Sequence, residues 1–300
     1  MFRPTRHTLR TAVAALIAVV LAAPALSQSS SPSARKGFIW SVQRNGHTGW
    51  LVGSLHLLTA DAYPLPGSMT KAFGEADTLV EETDIDETAS PEFMAAMVAK
   101  AMYTNGETLQ KNVSKETYKL IADRVAKAGL PLEAVQAMKP WMIALTLSAL
   151  EMVKGGFDPA LGLDKHFRDE AKSAGKKFRG LESALEQIGY LEGLGAELQD
   201  SLVRETLEGA ETELTQVRRI ADAWRAGDAA TVERLLVSDM KDAPGIYRSL
   251  IVDRNRRWMP KIRDCFDTTR CFVVVGAAHL VGSDGLISLL RREGYRVEQQ

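Results

Sequence analysis

The 300-residue chain is 45% hydrophobic and 25% charged, with a formal net charge of −1. That is ordinary globular composition with enough length for a sizeable core. No run of basic residues stands out from a solvated face, so nucleic acid is not an expected partner.

The first 27 residues differ from the rest. Arg3, Arg6 and Arg10 precede an apolar stretch from Ala12 to Ala22, followed by small residues at Ala23–Ser27. The stretch is too short to cross a bilayer comfortably, so it reads as a cleavable secretory signal rather than an anchor. Its removal would leave a net charge of −4. A polar leader over 28–37 follows, and residues 38–300 are expected to form the folded domain in the periplasm or outside the cell. Export sets the redox context for Cys265 and Cys271, which are expected to pair. The short loop they close contributes on the order of 2 kcal/mol.

"FIWSVQRNGHTGWLVGSLH" predicts a hairpin: a strand over Phe38–Gln43, an Asn45-Gly46 turn and a second strand to Val52, with His47 exposed after the turn. A short helix around Ser68–Ala76 leads into "DTLVEETDID", a strand ending in carboxylates. From about 91 to 175 the apolar spacing is helical, with Pro140 starting one helix and Gly155-Gly156 stopping it. His166 lies here on a charged amphipathic helix and reads as a surface residue. "KKFRGLESALEQIGYLEGL" passes from strand to helix through a Ser183/Glu186 capping box. Further helices lead to a strand from Phe272, then a helix in "DGLISLLRREG" and a last strand in "YRVEQ". The pattern predicts an α/β fold, a two-half mixed sheet packed by helices, with a large helical insertion between its ends.

Two of these strands end alike. "GSLH" (Gly53 to His56) and "GAAH" (Gly276 to His279) each place an imidazole three residues beyond a glycine. Ligands of open α/β sheets bind beyond the carboxyl ends of strands. The glycines allow a sharp turn and close approach there. Two such imidazoles are a natural start for a divalent-metal site if the strands, more than 200 residues apart, meet in one sheet. A hydrolytic site commonly adds a carboxylate, and Glu81, Glu82 and Asp84 stand at the end of a third strand. Alternation lets only one of Glu81 and Glu82 join the histidines. Arg254 and Asn255 form one further polar cluster; one arginine of Arg254, Arg256 and Arg257 could face the site while the others stay solvated.

The ordered set "LVGSLHLL…YPLP", "LVEETD", "KPW", "GLDKHF…AKSAGKKFRGLES", "RNRRWMPKI" and "FVVVGAAHLVGSDGLISLL" resembles the TraB/GumN family, which includes the Tiki proteins and is distantly related to the erythromycin-esterase and ChaN-like proteins. The resemblance runs from about residue 38 to the end. It implies paired GxxH motifs, a glutamate and an arginine around one cleft: here His56, His279, Glu82 and Arg254. Glu81 stands where the family usually has an apolar residue, so by register the role falls to Glu82. Tiki members look like divalent-metal-dependent proteases, which implies manganese or cobalt, with zinc open. The resulting expectation is a peptidase-like hydrolase acting on a peptide or other small extracytoplasmic substrate. His56 and His279 would hold the ion, Glu82 would be ligand or base, and Arg254 would face the developing oxyanion. The alternatives are a protein that binds peptide, polysaccharide or haem in the same cleft, and a metal-free esterase-type hydrolase.

Overall fold

The computed structural model describes residues 37–300. The signal and most of the leader expected from the sequence lie outside the described residues. One mixed six-stranded sheet organises the chain: β1 (Ile39–Arg44), β2 (His47–Ser54), β3 (Thr78–Glu81), β4 (Lys177–Gly180), β5 (Cys271–Gly276) and β6 (Arg296–Gln299), in the spatial order β4-β3-β5-β2-β1-β6. The expected α/β class is therefore what the chain adopts. Asn45 and Gly46, both at positive φ, make the tight turn that lets β2 fold back on β1. β3, β5 and β2 run parallel to one another, and helices supply the long crossovers that parallel pairing requires.

Burial follows strand position. The central strand β5, Cys-Phe-Val-Val-Val-Gly, is buried at every residue, as a strand covered on both faces must be. The edge strand β4 is short, mostly exposed, and carries Lys177 and Arg179. Such charges discourage pairing with another chain.

The helix Asp253–Thr268 fixes the geometry that matters most. It runs back along β5, over about 24 Å, and a disulfide from Cys265 to Cys271 joins its far end to the first residue of that strand. Near that end the Phe266 ring lies 2.5 Å from where a Cβ on Gly49 would stand, so the helix seats closely on β2. The opposite end, with Arg254 and Asn255, is thereby held over the carboxyl ends of β5 and β3.

Candidate active site

The two GxxH strands lie side by side. β2 and β5 pair in parallel with Gly53 opposite Val275 and Ser54 opposite Gly276, so both motifs leave the sheet at one level. β3 flanks β5 on its other side, with Glu81 opposite Val274. Glu82 thus emerges beside both histidines. Neither motif glycine adopts positive φ; each is required by space. At Gly53 a Cβ would lie 2.4 Å from the Phe38 ring and 3.1 Å from the Ala277 Cα. At Gly276 it would enter the cleft itself, 3.2 Å from Glu82 Oε1, 3.6 Å from His279 Cδ2 and 3.9 Å from His56 Nε2. The missing side chain of Gly276 is the space around which the three groups meet.

Each histidine is oriented by a second residue. Asp164 Oδ2 holds His56 Nδ1 at 2.8 Å, while its other oxygen accepts from Ser54 Oγ. Asp164 lies in the first turn of the helix Leu163–Ser173, and Gly162 brings that turn so close that a Cβ would stand 2.3 Å from the His56 carbonyl oxygen. Burial disfavours a charge on His56, but Asp164 and, more weakly, Glu82 outweigh it and raise its pKa to about 9.

His279 is held differently. Asn255 Nδ2 donates to the carbonyls of His279 and Asp284, which leaves its Oδ1 to accept from His279 Nδ1 at 2.7 Å. The ring is then protonated at Nδ1, and Nε2 accepts from Arg254 Nη1 at 3.1 Å. Burial, reinforced by the neighbouring guanidinium, lowers the pKa of His279 to about 3. One imidazole is a cation in the described arrangement and the other is neutral.

Arg254 is 1% exposed, and its five N–H groups all have partners. Nε donates to Glu182, Nη1 to the Leu250 carbonyl and His279, and Nη2 to Glu82 at 2.5 Å and Glu182 at 2.6 Å. Trp258, one turn further along, stacks on the guanidinium at 4.6 Å. Glu82 also accepts from the Gly276 N–H at 2.7 Å and from Gln187 Nε2. Burial favours its neutral form, but Arg254 and the two histidines prevail and hold its pKa at about 2. Burial raises the pKa of Glu182 despite Arg254, yet Trp258 Nε1 and Tyr190 OH also donate to it.

Glu81 and Glu82 separate as strand alternation requires. Glu81 is 1% exposed, and among the described residues neither of its carboxylate oxygens has a hydrogen-bond partner. Burial, with Asp164 adding like charge, raises its pKa well above the ordinary range. Asp84 turns outward to Arg168. His47 is exposed as expected, whereas His166 is half-buried against Tyr63 and Phe167, correcting its assignment to the surface: the Tyr63 ring covers that helix face.

Sequence reasoning missed Asp164, Glu182 and Gln187. Each had a signal: an acid in a helix's first turn just after a glycine, an acid two residues beyond a strand end, and an amide one turn into the helix that follows.

The donors suit a divalent ion in kind. Two imidazole Nε2 atoms and a carboxylate oxygen border one recess, and Asp164 and Asn255 hold the opposite ring nitrogens, as partners of metal-bound histidines do. The charge of Arg254 stands among them, however. No group of three or more His, Cys, Asp or Glu is gathered closely enough to hold an ion among the described residues. An ion on His279 Nε2 requires the Arg254 Nη1 hydrogen bond to give way.

A mixed α/β sheet presenting two GxxH imidazoles and a carboxylate from three neighbouring parallel strands defines the class of protein. The chain belongs to the TraB/PrgY/gumN family, which it matches over residues 38–299. It is 26% identical to the uncharacterized protein YbaP of Escherichia coli K12 over 270 residues, 84% of this chain and 97% of YbaP. It is also 22% identical to the human Metalloprotease TIKI1 over 324 residues, covering 87% of this chain and 61% of that protein. No solved structure matches the chain. The family and its distant metalloprotease member weakly suggest a hydrolase.

Proposed function

We propose that the protein is an extracytoplasmic, divalent-metal-dependent hydrolase of peptide-like amide bonds. The observation that carries this reading is the convergence of His56, His279 and Glu82 on the space left by Gly276, with each imidazole turned by its own partner so that Nε2 borders the cleft. The Cys265–Cys271 disulfide suits an oxidising compartment.

His56, His279 and Glu82 would hold the ion, with manganese and cobalt the first candidates and zinc the third. A divalent ion so placed polarises a carbonyl and supplies a strong nucleophile at neutral pH. Asp164 keeps the His56 ring in place, and because His56 is otherwise protonated at neutral pH, binding would release its proton. Glu82 remains ionised through its N–H partners, as a carboxylate ligand must. Of the five Arg254 N–H groups, one on Nη1 contacts neither a carboxylate nor a backbone carbonyl, but an imidazole with another use. We assign that N–H to the developing oxyanion. Removing one such donor costs a hydrolase about 3 kcal/mol.

The test is calorimetric titration of Mn²⁺, Co²⁺ and Zn²⁺ into chelator-stripped protein, alongside His56→Ala, His279→Ala and Glu82→Gln, with a peptide-library screen. Stoichiometric binding in the wild type, lost in both histidine variants together with hydrolysis, is the expected result. A second reading has its own support: Arg254 already places a positive charge at His279 and Glu82, and the His56–Asp164 pair holds a donatable proton. Hydrolysis that survives exhaustive chelation would replace the metal mechanism with acid catalysis by His56.

A further inference from the structure

Arg254 faces two carboxylates, and they are held in different ways. Glu182 stands two residues beyond β4, where its backbone N–H donates to the Glu82 carbonyl at 2.8 Å, just after the Leu181 N–H donates to that of Glu81. The ladder between β3 and β4 thus runs on past both strand ends and sets the two glutamates side by side. One residue later the Ser183/Glu186 capping box starts the helix Ala184–Glu192, which returns Gln187 to Glu82 and Tyr190 to Glu182. Lys261 Nζ ties the Leu181 carbonyl to the helix that carries Arg254.

The two side chains divide the guanidinium. Glu182 Oε1 accepts from Nε at 3.0 Å and from Nη2 at 2.6 Å, a fork that fixes orientation as well as charge. Its Oε2 accepts from Trp258 Nε1 and Tyr190 OH, so the shell around Glu182 offers donors, which fit an ionised carboxylate. Glu82 meets Arg254 through Nη2 alone and directs Oε1 to the Gly276 N–H. It is Glu82, with His279 and His56, that supplies the atoms nearest the space left by Gly276; Glu182 is not among them. One guanidinium between two buried carboxylates leaves one negative charge in surplus. A cation arriving at Glu82 meets that surplus, and Arg254 keeps a full counterion when Glu82 turns to the cation. With Glu82 as its only acid, Arg254 would be left buried and uncompensated by the same step, and a buried ion that loses its partner is destabilising.

We propose that Glu182 is a positioning residue, the standing counterion of Arg254: it grips the guanidinium by the Nε edge so that Glu82 is free to give its charge to a ligand in the cleft. The consequence for a metal ion rests on the hydrolase reading; the grip on Arg254 does not.

The experiment follows the arginine Nε–H signals of the ¹⁵N-labelled protein, with that of Arg254 assigned by its loss in Arg254→Met. A hydrogen-bonded N–H on a side chain only 1% exposed exchanges slowly with solvent. The signal is expected to stay slow in Glu82→Gln and to exchange at least about tenfold faster in Glu182→Gln. Glu182→Asp keeps the charge but withdraws it by one methylene, and should quicken the exchange about threefold, which keeps the comparison open if the Gln variant does not fold. Equal rates in the Glu82 and Glu182 variants, or a faster rate in Glu82→Gln alone, would overturn the proposal. Calorimetry with Mn²⁺ then separates charge from packing. Glu182→Gln is expected to bind Mn²⁺ at least about tenfold more weakly than the wild type, and Glu182→Gln combined with Arg254→Met to recover to within about threefold. A lost scaffold would not be mended by a second deletion, so a double variant as weak as the single one would overturn the counterion role. A wild-type protein that takes no Mn²⁺ removes the metal reading, and the Nε–H rates then decide the proposal by themselves.

Discussion

His56 and His279 occupy matching places in matching motifs, on strands paired residue for residue, yet their surroundings drive them in opposite directions. Asp164 beside His56 stabilises its cation; burial and Arg254 keep His279 neutral, while Asn255 fixes its Nδ1–H. The motif sets where an imidazole goes, and a side chain from elsewhere in the chain sets what it can do. Charge is what differs between the two orienting partners, and charge decides which proton a histidine keeps.

The most severe way to break the contrast is to remove Arg254. Arg254→Met leaves Glu82 and Glu182 buried without their counterion and is expected to cost about 3–5 kcal/mol in urea unfolding. His279 should then titrate nearer its ordinary range. Replacing Asp164 by Asn makes the two stations alike, at about 1.5–3 kcal/mol near pH 6, with a distinctive pH signature. The raised pKa of His56 contributes stability that is fully present below pH 6.5 and lost as pH rises through about 9. The lowered pKa of His279 contributes stability present above pH 6.5 and lost as pH falls through about 3. Asp164→Asn should therefore erase the alkaline loss and spare the acid loss, measured as unfolding free energy from pH 4 to 9.5.

The motif glycines sharpen the comparison further. Gly53→Ala drives a methyl into the Phe38 ring and against the Ala277 backbone, for about 1–3 kcal/mol in thermal unfolding. Gly276→Ala meets side-chain atoms at 3.2 Å and beyond, so it should cost less than about 1 kcal/mol and instead abolish metal binding in the calorimeter. Smallest of all is Glu81→Gln: burial already favours the neutral carboxyl, and the amide keeps its shape, so stability should change by less than about 0.5 kcal/mol at pH 7, whereas Glu82→Gln should weaken the Arg254 cluster.

What the sequence disclosed follows from the range over which each signal acts. The Asn45-Gly46 hairpin, the Ser183/Glu186 capping box and the apolar run of β5 are local, and each has the expected form. The meeting of the two GxxH strands was legible only as a requirement, since register between residues 53 and 275 is settled by the whole sheet. Asp164 and Glu182 stayed hidden because nothing near them in sequence shows what they face. A helix-first-turn acid and a strand-end acid look the same whether they meet water or an imidazole. The split between Glu81 and Glu82 lay between these cases: alternation separates the two, the family resemblance chose Glu82 by register, and Glu82 is the one that meets Arg254.

One backbone feature bears on how this molecule can be rebuilt. Gly37 N–H donates to the Gln300 carbonyl, and Gln300 N–H donates to that of Ile39, so the first and last described residues meet beside β1. The two ends of the described chain are thus joined through main-chain hydrogen bonds. Linking Gln300 to Gly37 and opening the chain at the Gly129 turn, where φ is +74°, should give a circular permutant with the same strand order and the same cleft. Its assembly would show that chain order is incidental to this sheet and that the partners of each strand carry the architecture.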